Sequence, residues 1–155
     1  MAANPNEHRE TSTRACGQAA GWDLVFVCWL IATASTLAAL FFSEVMNLPP
    51  CVLCWYQRIF IFPLALLLPV GLFPFDPKVV RYALPLSVVG WSIAFFHVLL
   101  TYGLVPESIK PCTQGVPCAL NQIEWFGFVS IPLLSLIAFC AITALLLVTH
   151  CKVSK

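Results

Sequence analysis

Four apolar blocks, each about as long as a bilayer is thick, leave this chain little else to build with. They run over about 24–42, 53–73, 80–104 and 125–148, and a helical span needs roughly 20 apolar residues. Within a bilayer the backbone must satisfy its own hydrogen bonds, so such blocks become helices. The sequence therefore predicts an all-α, integral membrane four-helix bundle. Short joints between the blocks leave no room for a separate soluble domain, so residues 1–155 form a single membrane domain. Only 10% of residues are charged and the net charge is +1, which gives a nucleic-acid partner no support. The polar stretch 1–22 reads as an N-terminal tail. A cleaved signal peptide is disfavoured, because the first block is long for a signal and three more spans follow. Pro63 and Pro69 should kink the second span, and His97 lies inside the third.

The basic residues predict an orientation. Arg9, Arg14, Lys78, Arg81, Lys152 and Lys155 fall on one side, against Lys110 and Arg58 on the other, six to two. Cytoplasmic loops carry the excess of Lys and Arg, so both termini should face the cytoplasm.

Eight cysteines is a high number for such a chain. Cys51/Cys54 precedes the second span, and Cys112/Cys118 lies in the one substantial loop, 105–123. The charge bias puts both pairs on the external side, where disulfides persist. Cys28 and Cys140 read as small packing residues, and Cys16 and Cys151 as thiols of the tails.

The stretch Pro49-Pro50-Cys51-Val52-Leu53-Cys54-Trp55-Tyr56-Gln57-Arg58 carries the chemistry. Proline disfavours helix in the residue before it and is welcome in a first helical turn. A helix should therefore begin at or just after Pro50, with both thiols in its first turns. A helix N-terminus favours thiolate. Arg58, four residues past Cys54, shares that face and would favour it further. Cys112/Cys118 encloses only Thr113-Gln114-Gly115-Val116-Pro117. A crosslink over so short a loop stabilises little, so exchange is a better use for it than stapling. Zinc is set aside, because five intervening residues is wide for a metal loop and the loop has no histidine. Two dithiol pairs on one rim can relay electrons by thiol–disulfide exchange. With neither a Cys-x-x-Cys-His haem motif nor a dinucleotide fingerprint, the natural acceptor is a lipid-soluble quinone. Arg58 could then hydrogen-bond a quinone oxygen. His97 is a functional candidate because it ionises inside a span, and equally a core histidine bonded to a carbonyl. Trp55, Trp125 and Tyr102 are placed like interfacial anchors.

Pro50 to Arg58 resembles the first external loop and second span of the DsbB family of disulfide-bond formation proteins. The segment from His97 through Cys112–Cys118 to Trp125-Phe126-Gly127-Phe128-Val129-Ser130-Ile131-Pro132 is similar to the shorter BdbC-type members. The resemblance implies an enzyme of the bacterial cytoplasmic membrane. It would reoxidise a DsbA-like thioredoxin-fold oxidase and pass the electrons to ubiquinone or menaquinone. By that resemblance the catalytic residues are Cys51, Cys54, Cys112 and Cys118. Cys54 is the thiolate against the quinone, Cys51 exchanges with the loop pair, Cys112 meets the partner and Cys118 resolves towards Cys51. Arg58, Cys54 and His97 would bind the quinone, and no metal is implied. The loop spacing departs from the best-known members, whose loop cysteines are widely separated, which leaves the order of exchange open. Vitamin K epoxide reductase-type proteins carry their Cys-x-x-Cys in a late span, unlike this chain. The rival reading is a non-catalytic tetraspan scaffold with structural external disulfides. A third is a thiol-linked sensor, which would exchange disulfides without quinone turnover.

Overall fold

A computed structural model of the chain describes residues 5–47, 49–104 and 130–153, with side chains for those between 21 and 152. Loop 105–123, the pair Cys112/Cys118 and the first residues of the expected fourth span lie outside the described residues. Four helices follow one another: α1 (Pro5–Leu40), α2 (Val52–Leu72), α3 (Lys78–Thr101) and α4 (Ile131–Val153). A π-helical turn over Phe41–Val45 ends α1. All four helices contain a segment long and apolar enough to cross a membrane, and the chain is a multi-pass membrane protein. Among the described residues there is no strand. Consecutive helices pack side by side and α1 closes against α4, as in an up-and-down bundle.

Each helix buries a stripe with helical spacing. In α2 the stripe is Leu53, Gln57, Ile61, Leu64, Leu68 and Leu72; in α4 it is Phe139, Ile142, Leu146 and Thr149. Steps of three and four residues keep these side chains on one face. The α3 stripe is small, with Ala83, Ser87, Gly90 and Ala94. Small residues let membrane helices approach closely. At Gly90 an added Cβ would overlap the Phe139 ring of α4, and at Gly71 it would overlap the Val79 side chain.

The spans match the apolar blocks, with shifted ends. Helix α1 reaches back to Pro5, so the stretch read as a polar tail is helical from that point. Helix α3 starts at Lys78 and ends at Thr101. Pro63 and Pro69 lie inside α2, which stays one helix through Leu72. Cys28 is buried, and its thiol faces the Ile142 carbonyl at 3.9 Å. Cys140 does not pack in the core. It is exposed on the outer face of α4, where its sulfur accepts the Trp91 Nε1–H at 2.9 Å.

Candidate redox site

All four helices meet around one cavity at the end of the bundle that holds the N-terminus of α2. Its volume is about 380 Å³. Ala34, Ser35 and Ala38 of α1 face Leu134, Ser135 and Ala138 of α4 across it, while Cys51, Cys54, Gln57, Arg58 and His97 bring the chemistry. The small α1 side chains leave the space that larger ones would fill.

Cys51 is the N-cap of α2, as the two prolines predict. Its backbone is extended (φ −69°, ψ 164°), and its sulfur accepts the Cys54 N–H at 3.3 Å. A sulfur thus takes the place that a serine or aspartate oxygen takes at other helix starts. The two Sγ atoms are 2.7 Å apart, within easy reach of a disulfide. Both thiols pack on α3 through Leu100, Ile93 and Phe96, which fixes the first turn of α2 against that helix.

Among the described residues, both ring nitrogens of His97 face side chains. Only 1% of it is exposed. Its Nε2 lies 3.8 Å from Cys51 Sγ, and its Nδ1 lies 3.1 Å from Gln57 Nε2. Gln57 is itself buried, so a polar chain runs Gln57–His97–Cys51–Cys54 through apolar surroundings. The Cys51 thiol is lowered from the ordinary 9.0 to about 4. The Cys54 thiol hydrogen-bonded to it is the largest cause, followed among the favourable ones by the hydrogen bond from His97, the Cys54 N–H and the charge at His97; burial opposes them. Arg58 is not among these causes at Cys51; its charge acts on the nearer thiol, Cys54, as its place four residues further along suggests.

Arg58 is held elsewhere. Its Nη2 donates to the Ala39 carbonyl at 2.7 Å and its Nη1 to Ser43 Oγ at 3.2 Å. The last turn of α1 supplies the Ala39 carbonyl and the π turn that follows supplies Ser43. Such turns interrupt the ordinary helical ladder and recur at functional sites. Ser43 Oγ also donates to Ala39 O or Leu40 O, at 3.1 and 3.2 Å. The guanidinium stands 5.7 Å from the Trp55 ring centroid. It lines the main cavity and also a smaller one of about 290 Å³ beside Trp55 and Glu44. Trp55 and Tyr102 are largely exposed, as interfacial anchors should be.

Sequence reading brought Cys51, Cys54, Arg58 and His97 forward, and these four share one cavity. It missed Gln57 and Ser43. The signal for Gln57 was present, since a polar side chain on the buried stripe of a span is unusual in the same way as His97.

Comparison with known proteins decides what kind of chain this is. The family model "Disulfide bond formation protein DsbB" matches residues 22–149. The chain belongs to the DsbB family. Among curated relatives of this DsbB-family protein, a "Probable disulfide formation protein" of Metapseudomonas resinovorans is 48% identical over 128 residues, 82% of this chain and 89% of the relative. "Disulfide bond formation protein C" of Bacillus subtilis (strain 168) is 43% identical over 118 residues, covering 76% and 86%. A "Probable disulfide formation protein" of Deinococcus radiodurans is 44% identical over 131 residues, covering 79% and 85%. No solved structure matches the chain significantly.

Proposed function

We propose that this DsbB-family protein is a protein-dithiol:quinone oxidoreductase of the bacterial cytoplasmic membrane. It makes disulfides de novo by reoxidising a DsbA-like thioredoxin-fold oxidase. The observation that carries this reading is a pair of thiols with sulfurs 2.7 Å apart, opening into an apolar cavity that also holds Arg58. The cavity suits a quinone head group. Its walls are mostly aliphatic, with few polar groups to fix orientation, as in small-molecule sites generally.

Electrons enter at the loop. A partner thiolate attacks Cys112 of the Cys112–Cys118 disulfide and frees Cys118. The Cys118 thiolate attacks Cys51 of an oxidised Cys51–Cys54 pair, and Cys54 leaves as thiolate. The partner's second thiol releases Cys112, and the partner departs oxidised. Cys112 then attacks Cys118 and expels Cys51. Low-pKa thiols leave fastest, so the environment that holds Cys51 as thiolate drives this last step forward. The net change is one disulfide made in the partner and one electron pair placed on Cys51/Cys54. A quinone bound in the cavity supplies the two-electron, two-proton acceptor. Cys54, Arg58 and His97 would hold it, with Arg58 aimed by Ala39 O and Ser43 Oγ and His97 able to move a proton at Nε2.

The test is purified protein with a reduced thioredoxin-fold dithiol oxidase and a soluble quinone. Quinone loss should match partner oxidation one to one and vanish in Cys54→Ser. No quinone loss, or loss that survives in Cys54→Ser, would exclude this function.

A further inference from the structure

We propose that the reduced Cys51/Cys54 pair and His97 form a redox-gated site for one thiophilic d¹⁰ divalent cation, Zn²⁺ or Cd²⁺, which shuts the redox centre while bound. Cys51 Sγ, Cys54 Sγ and His97 Nε2 all lie within 4.8 Å of one another. Two donors come from the first turn of α2 and the third from α3, which sequence spacing does not reveal. Zinc was set aside above on the wide spacing of the loop pair and the loop's lack of a histidine; this site uses neither loop cysteine, and the third span provides the histidine.

The geometry is close to what a tetrahedral ion needs. With metal–sulfur bonds of about 2.3 Å and metal–nitrogen bonds of about 2.0–2.1 Å, donors stand about 3.5–3.8 Å apart. Cys51 Sγ and His97 Nε2 are already 3.8 Å apart. The two sulfurs, now 2.7 Å apart, must open by about 1 Å, a side-chain adjustment. The ring is also oriented as a ligand. Its Nδ1 lies 3.1 Å from the Gln57 amide; when an ion takes Nε2 the ring proton stands on Nδ1 and the amide turns its Oε1 to accept it, which is how metal-bound histidines usually have their other nitrogen held. Three protein donors leave one position open to the cavity, unlike the closed four-ligand set of a structural zinc site. Arg58 lines the same cavity, but its Nη1 and Nη2 are engaged by Ser43 and Ala39.

The gating follows from electron count. A disulfide offers no thiolate, so the site exists only when the pair holds its two electrons. Binding releases whatever protons the donors still carry and leaves every oxidation state unchanged. The two thiolates balance the ion's charge in an apolar place. While the ion stays, neither sulfur can attack or be attacked. The inference rests on the redox reading of the pair only for its gate.

The experiment is Cd²⁺ titration of the detergent-purified full chain, followed by sulfur-to-cadmium charge-transfer absorbance. Protein reduced with a phosphine, then freed of it, is compared with oxidised protein. We expect one tight equivalent on reduced protein that is absent from oxidised protein and from Cys54→Ser, and retained in the Cys112→Ser/Cys118→Ser double variant. His97→Ala should weaken it at least tenfold and His97→Cys should restore it, since a thiolate replaces the imidazole. Gln57→Leu should weaken it by about tenfold or more. Equal binding by oxidised protein or by His97→Ala, no restoration in His97→Cys, or loss in the loop double variant would overturn the proposal. Cadmium binding is read without turnover. Active protein that takes no cadmium defeats this inference alone, and protein that binds cadmium but never reduces quinone defeats the proposed function.

Discussion

The charge on Cys51 depends on a side chain 46 residues away. The α2 N-terminus alone would favour thiolate modestly; the neighbouring thiol and His97 carry the value to about 4. In reduced protein the ultraviolet absorbance of one thiolate should therefore persist as pH falls and disappear with a midpoint near 4. In His97→Ala the midpoint should rise, and alkylation of Cys51 near neutral pH should slow accordingly. The linkage has a definite sign. A thiol with a depressed folded value stabilises the reduced fold fully above its unfolded value, ordinarily 9.0, and that contribution is lost as pH falls through about 4. Reduced wild type should thus lose stability relative to Cys51→Ala on acidification through that window. Equal pH dependence of the two in thermal melts would refute the assignment. The motif Cys51-Val52-Leu53-Cys54 was legible from spacing alone. The histidine's partner was not, because which residue His97 faces depends on how α3 docks on α2, and apolar periodicity does not encode register between spans.

At the scale of elements, the four spans were legible because the bilayer imposes one rule on all of them: a long apolar run must be a helix. Their ends were not, because ends are set by local hydrogen bonds that hydropathy ignores. The clearest case is the end of α1, where Ser43 and the π turn hold Arg58. Ser43→Ala removes one of the two acceptors and leaves the Ala39 carbonyl in place. If Arg58 orients the quinone, this variant should raise the KM for quinone several-fold and leave that for the partner unchanged. A change in the partner's KM instead would place Arg58 on the other half of the reaction. The α2–α3 turn gives a stability prediction. At Gly71 a methyl group would meet Val79 at its Cβ, which cannot move without the backbone. Gly71→Ala should therefore cost about 1–3 kcal/mol, the usual range for overpacking. Thermal unfolding in detergent checks it, and an unchanged midpoint would mean the two helices can separate there freely.

At the scale of the whole molecule, the four described helices run up and down, so the start of α1 and the end of α4 lie at one end of the bundle and the redox site at the other. One end carries Val45, Pro50, Leu104 and Ile131; the other carries Leu72, Lys78 and Val153. Lys78, Arg81 and Lys152 cluster at the second end, next to the helix termini. Anionic lipid and the positive-inside bias both favour that end in the cytoplasm. On the proposed function this sidedness matters, because a partner oxidase outside the cell would have to reach the rim that holds Cys51 and Cys54. Sidedness can be read with an impermeant maleimide on right-side-out vesicles. Leu104 and Val45 are exposed at the redox end, and Phe73 and Cys151 at the other. Leu104→Cys and Val45→Cys should label in intact vesicles, whereas Cys151 and Phe73→Cys should label only after permeabilisation. Labelling of Cys151 in intact vesicles would invert the protein and put its thiol pair in the reducing cytosol. There glutathione would compete with any quinone for control of the pair, and net disulfide synthesis for an external partner could not follow.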